Sequence, residues 1–173
     1  MRRVSVGILA AAGMTLGVAS AAAASGKADL LPTKEGSKVA GTALLADTPG
    51  GLAVEVHVTG ALPGQHGLHI HEFGDCGGGG DGAGGHFNPA QAPHGFYPND
   101  GPERAHPGDM GNIEVAADGA GMLSVTLPGV TLSSGPRAVA GRAIVLHEKV
   151  DDFGQPTGNA GGRIGCGPIV LMK

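Results

Sequence analysis

The sequence predicts an all-β fold, sandwich or barrel, with two long functional loops. Three observations point there. Short runs of alternating apolar and polar residues recur between turn signals. Glycine is abundant, at 34 of 173 residues, beside 12 prolines. No stretch beyond the first two dozen residues carries the 3.6-residue periodicity of an amphipathic helix, and no internal repeat is present.

The elements follow in chain order. Residues 25–36 are small and polar and are expected to form a flexible lead-in. Residues 39–45 and 52–58 flank Asp47-Thr48-Pro49-Gly50-Gly51 and read as a β-hairpin. Residues 67–71 are a third strand. Residues 113–116 and 122–127 flank Asp118-Gly119 and form another hairpin, and residues 140–147 and 163–171 complete the set. Two segments are not strands. Residues 72–109 are rich in glycine and proline, and residues 148–162 carry Asp151-Asp152 and a run from Thr157 to Gly162. A structureless stretch as long as the first is either disordered or functional, and its histidines favour folding around a metal.

The N-terminus reads as an export signal. Met1-Arg2-Arg3 is a basic start, an apolar run extends to about Val18, and small residues from Ala19 to Ala24 offer cleavage sites. The apolar run is interrupted by Gly7, Gly13 and Gly17, which suits a cleaved leader better than a membrane anchor. The expected organisation is a signal peptide at 1–24, the lead-in at 25–36, and one domain at 37–173. The mature chain holds 9 Lys+Arg against 15 Asp+Glu, a net charge of −6 with His neutral. No basic stripe is present, so nucleic acid is excluded as a partner. An anionic substrate would need a local positive site. Cys76 and Cys166 are the only cysteines. In an exported chain they read as one disulfide.

The chemistry lies in the histidines. Six of the eight form an ordered series: His69, His71, His86, His94, His106 and His147, with Asp109 beside His106. His69 and His71 alternate with Ile70 on a strand, so both point to one face. Imidazole is the commonest protein ligand for zinc and copper. His86, His94, His106 and Asp109 could make a nitrogen-and-oxygen zinc set, and His69, His71 and His147 a second set. Seven groups for two four-coordinate metals leave one ligand short unless one imidazole bridges. His57, outward on its strand, and His66, near a strand start, fall outside the series and read as structural.

Several motifs in the same order resemble the copper/zinc superoxide dismutase family. They are Gly67-Leu68-His69-Ile70-His71-Glu72-Phe73-Gly74-Asp75, Gly85-His86-Phe87-Asn88-Pro89, His106-Pro107-Gly108-Asp109-Met110-Gly111-Asn112, and 145–152 around His147. Gly158-Asn159-Ala160-Gly161-Gly162-Arg163-Ile164-Gly165-Cys166-Gly167 closes the match. The resemblance implies a Greek-key eight-stranded barrel. It implies copper at His69, His71, His86 and His147, and zinc at His86, His94, His106 and Asp109, with His86 shared. It assigns Asp151 a hydrogen-bonding role between a copper-set and a zinc-set histidine. It places Arg163 beside the substrate channel and pairs Cys76 with Cys166.

The implied reaction converts superoxide to dioxygen and hydrogen peroxide through alternating Cu(II) and Cu(I), with His86 also handling a proton. The alternative is an exported copper/zinc-binding protein of the same fold with little turnover. The export signal implies a periplasmic or extracellular protein without stable membrane insertion once that signal is cleaved, and the sequence is compatible with a homodimer. One departure bears on substrate guidance. The stretch from Asp152 to Thr157 has no lysine or glutamate, so the charged loop of the animal enzymes is mostly absent. The placement of Cys76 five residues after His71, followed by Gly77 to Gly80, is more like bacterial members.

Overall fold

The computed structural model describes residues 23–173, so the expected leader lies almost wholly outside the described residues. The strands are β1 Ser25–Pro32, β2 Ala40–Thr48, β3 Gly51–Thr59, β4 Gly64–His71, β5 Asp109–Val115, β6 Gly121–Leu127, β7 Ala143–His147, β8 Arg163–Pro168 and β9 Val170–Leu171. Every named strand pairing is antiparallel. The order β2-β3-β6-β5-β4-β7-β8-β1 closes through a β1–β2 pairing, and β9 adds a short extension on β1. This is the expected eight-stranded Greek-key barrel. The crossovers are β3 to β4, past β6 and β5, and β6 to β7, past β5 and β4.

Alternation decides which side chains fill the barrel. Val54, Val56 and Val58 of β3 point inward, while Glu55 and His57 face solvent. Leu68 and Ile70 of β4 and Ile144 and Leu146 of β7 are fully buried in the same core. Each such side chain contributes about 1.5–3 kcal/mol by burial, which fixes the register of the two strands. On the outer side of this wall, Ala143, Val145, Cys166 and Ala83 form a second, smaller cluster. The β4–β7–β8 wall is therefore covered on both faces, inside by the core and outside by the long loop.

Residues 25–36, expected to be flexible, are mostly strand. Ala28 and Leu30 are buried while Asp29 is exposed, and Ser25 to Leu30 pair with Ala46 to Gly41. The small and polar residues of this segment conceal a two-residue alternation, and closing the barrel supplies the partner that the sequence does not display. Two further boundaries differ. Strand β7 begins at Ala143, because Gly141 takes a positive φ of 81°. The last expected strand divides into β8 and β9. The long loop also holds one α-turn, Tyr97–Asp100, and a 3₁₀ segment, Gly78–Ala83. Tyr97 is fully buried and donates its hydroxyl to the Pro128 carbonyl at 2.9 Å.

Candidate metal centre

The site lies on the outer face of β4 and β7, where the loop folds back over the wall. Both strands are irregular there: the β4–β5 register shifts between Gly67 and His69, and the β7–β8 register shifts between Leu146 and His147. Bulges re-aim side chains beside functional sites, and these two sit at the histidines. The loop is stitched back by a bridge between His71 and His86 and by Phe87 N–H donating to the Ile70 carbonyl at 2.9 Å. Gly108 approaches so closely that a Cβ there would lie 2.3 Å from the Ile70 carbonyl oxygen.

All six histidines and Asp109 are buried. Their donor atoms gather into two groups, each within 4.8 Å: His69, His71, His86 and His147, and His86, His94, His106 and Asp109. His86 belongs to both. Four of the rings have one nitrogen occupied by a group outside the donor sets, which selects the other. Asp151 Oδ2 lies 2.8 Å from His69 Nε2, and its two oxygens lie 2.9 and 3.0 Å from His94 Nε2. The Gly84 carbonyl accepts from His71 Nδ1 at 3.0 Å, and the Gly161 carbonyl accepts from His147 Nδ1 at 3.3 Å. Outer partners fix tautomer and ring orientation in this way around metals. The nitrogens left over are His69 Nδ1, His71 Nε2, His147 Nε2 and His94 Nδ1.

Those leftover atoms carry the test of whether a cation fits. Among the described residues, the buried side-chain polar atoms without a hydrogen-bond partner are His69 Nδ1 and His94 Nδ1. A buried orphan is costly, and both orphans aim into the two donor groups. His94 Nδ1 lies 2.8 Å from Asp109 Oδ2 yet is misaligned for a hydrogen bond. His86 Nδ1 and His106 Nδ1 lie 2.9 and 3.1 Å from Asp109 Oδ1 and 3.4 Å from each other. A tetrahedron with bonds of about 2.0 Å has edges of about 3.3 Å, so the second group fits zinc. In the first group, His71 Nε2 lies 3.2 Å from His147 Nε2, and an all-imidazole set suits copper.

The electrostatics agree. Burial, with repulsion from His86, lowers His71 to about 2. Burial and neighbouring His69 lower His147 to about 3. Burial also outweighs Asp109 at His86, which falls to about 4. These rings are neutral and available as donors at any ordinary pH. Burial opposes ionisation of Asp109 and Asp151, but their histidine partners win and hold both carboxyls well below the usual range. The same two carboxylates overcome the burial of His94 and raise it to about 9.

Arg163 and the disulfide lie beside the first donor group. Cys76 and Cys166 are bonded. The bridge ties the loop at Cys76 to β8, and Arg163 of the same strand donates from Nη1 to the Gly80 carbonyl and from Nη2 to the Gly84 carbonyl. A cavity of about 200 Å³ is bordered by His71, His86, His147, Gly161 and Arg163.

Sequence reasoning missed three supports. Asn112 receives the Asp151 N–H at 2.7 Å and donates to the Asp151 carbonyl at 2.9 Å. Gln155 embraces the His94 backbone, accepting from N–H at 2.9 Å and donating to the carbonyl at 2.8 Å. Gly158, at a φ of 75°, leaves room for Asp151, whose Oδ1 would lie 1.8 Å from a Cβ there. A Gln or Gly between acidic and histidine motifs carries no side-chain signal that could have found the last two. His57 is exposed and bonded to Glu55. His66 is buried between the His147 and Leu62 carbonyls.

Comparisons with known proteins converge on one family. The profile described as copper/zinc superoxide dismutase (SODC) matches residues 39–169. "Superoxide dismutase [Cu-Zn] 5" of Dictyostelium discoideum is 46% identical over 123 residues, which are 67% of this chain and 78% of that protein. "Extracellular superoxide dismutase [Cu-Zn]" of Caenorhabditis elegans is 45% identical over 123 residues, which are 67% of this chain and 54% of that protein. Among solved structures, the clock protein EA4 matches with a TM-score of 0.77 and 36% identity, covering 92% of this chain and all of that one.

Proposed function

The chain belongs to the copper/zinc superoxide dismutase family, and on that premise we propose that it dismutes superoxide at the two donor groups joined by His86. It is an oxidoreductase with copper and zinc as cofactors. The observation that carries the mechanism is the sharing of one buried imidazole by two donor sets of different chemistry. His69, His71, His86 and His147 would hold copper. His86, His94, His106 and Asp109 would hold zinc. When bound, copper supplies the redox chemistry: one superoxide gives up an electron and leaves as dioxygen, and a second takes that electron with two protons and leaves as hydrogen peroxide.

The protein's own groups do the rest. Arg163 presents a fixed cation at the channel, its guanidinium pinned by two carbonyls and so pre-oriented for a small anion. It supplies the local positive charge that a chain of net charge −6 needs, in the near absence of a charged loop. His86 keeps Nδ1 toward Asp109 and has Nε2 free on the channel side. That nitrogen takes up a proton and passes it to the second superoxide. Asp151 locks His69 and His94 with Nδ1 free and so couples the two sets.

The same reading includes export. The disulfide fits an oxidising compartment, and no helix among the described residues is long and apolar enough to cross a membrane. We place the family domain at residues 37–173, with β1 of the preceding segment closing its barrel, in the periplasm or outside the cell. Copper and zinc stoichiometry measured alongside superoxide consumption on one sample tests the function. One copper and one zinc per chain, with turnover above that of free copper, supports it. Zinc alone, or both metals with no turnover beyond free copper, overturns it.

A further inference from the structure

One row of pairing crosses four strands on the outer wall of the barrel, away from the metal centre. Thr42 of β2 pairs with His57 of β3, His57 with Met122 of β6, and Met122 with Glu114 of β5. Residues opposed across strands share a face, and adjacent strands lie about 4.8 Å apart. The Met122 thioether therefore stands between an imidazole and a carboxylate. All three side chains are exposed, and all three border one surface hollow of about 340 Å³. Glu55, two residues along β3 on the same face, lies 2.7 Å from His57 Nε2. It takes that N–H and leaves Nδ1 as the free donor, as Asp151 does for the buried histidines.

The donor types decide the ligand. A thioether is a soft ligand that favours Cu(I) and adds little for zinc, calcium or magnesium, whereas an imidazole accepts either copper state. We infer that His57, Met122 and Glu114 form a surface site for copper(I), with Glu55 orienting the imidazole. The site spans β3, β6 and β5, and on β5 Glu114 stands five residues along the strand from Asp109, so this site and the buried centre are separate. The site is open to solvent and built from side chains only, which makes it a place of reversible holding rather than burial.

The test uses the copper- and zinc-loaded protein. Anaerobic titration with Cu(I) in ascorbate, in competition with a chromogenic chelator, counts the ions bound beyond the resident pair. The methionine ε-methyl resonances report where they sit. The inference predicts one further Cu(I) per chain that shifts the Met122 methyl and leaves Met110 and Met172 unmoved. That ion is lost in Met122→Leu and in His57→Ala. It is weakened about 10–100-fold in Glu55→Gln, the usual cost of an outer partner. Resident metals and turnover stay unchanged in all three variants. No additional Cu(I), binding without a Met122 shift, or binding that survives Met122→Leu overturns it. Because the methyl shift is read in the unmodified protein, the test does not depend on any variant folding.

Discussion

Asp151→Asn isolates the carboxylate that joins the two donor groups. The side chain is fully buried and accepts from His69 Nε2 at 2.8 Å, from His94 Nε2 at 2.9 and 3.0 Å, and from the Phe153 N–H at 2.8 Å. Asparagine has the same shape but presents one amide group as a donor. His94 touches both oxygens, so either orientation of the amide sets a donor against its N–H. His69 touches only one oxygen and keeps an acceptor in one orientation. The imidazole facing the amide is held less firmly with its proton on Nε2, which weakens Nδ1 as the atom offered to the metal; His94 meets the amide in both orientations, His69 in one. Zinc is therefore expected to suffer more than copper. Loss of an outer carboxylate costs about 10–100-fold in affinity, or about 1.4–2.7 kcal/mol. The loop stays anchored, because Asn112 bonds the backbone of residue 151 rather than its side chain. Competition with a chromogenic zinc chelator reads the effect in wild type and variant. Zinc affinity within twofold of wild type would refute the argument that Asp151 selects the His94 tautomer.

His147→Ala should abolish activity and copper retention yet leave zinc bound, since His147 lies outside the second donor group; zinc lost in parallel on elemental analysis would contradict this. Arg163→Ala should keep both metals and lower the second-order rate about 10-fold, with a weaker salt dependence in stopped-flow measurements; loss of copper would sink its guidance role. The metal-free protein should be most stable near neutrality. His71, His147 and His86 are held at about 2, 3 and 4, so below pH about 6.5 the unfolded chain binds protons that the folded chain refuses. Stability then falls by up to about 1.4 kcal/mol per pH unit for each imidazole, until pH nears its folded value. His94, raised to about 9, contributes fully below its unfolded value and loses that contribution as pH rises through about 9. Urea titrations of the metal-free protein across pH check both limbs, and a flat acid limb would contradict the first.

The donor atoms were legible because side-chain chemistry is written in the sequence. The alternation His69-Ile70-His71 put both imidazoles on one face of a strand, and β4 has that arrangement. What holds those donors was much less legible. Gly84 and Gly161 act through their carbonyls, and nothing about a glycine marks which carbonyl meets a ring nitrogen. Asn112 and Gln155 act on backbone groups brought near only by the fold. Strand β1 escaped notice because Ala28 and Leu30 are too few and too small to stand out between polar residues, although both are buried once β2 and β8 flank them. The residues themselves suggested the partition of the donors into two sets, and the resemblance added that His86 serves both. The geometry now gives it a physical basis, in the ring nitrogens that the surrounding carbonyls and carboxylates leave free.

The account rests on His86 serving two metals at once. Replacing zinc by Co(II) in the copper-loaded protein and recording the Cu(II) electron paramagnetic resonance spectrum tests this directly. A shared imidazolate couples the two spins, so the account predicts that the ordinary copper signal is lost when cobalt fills the second donor group. A full, uncoupled copper signal with cobalt stoichiometrically bound would contradict it.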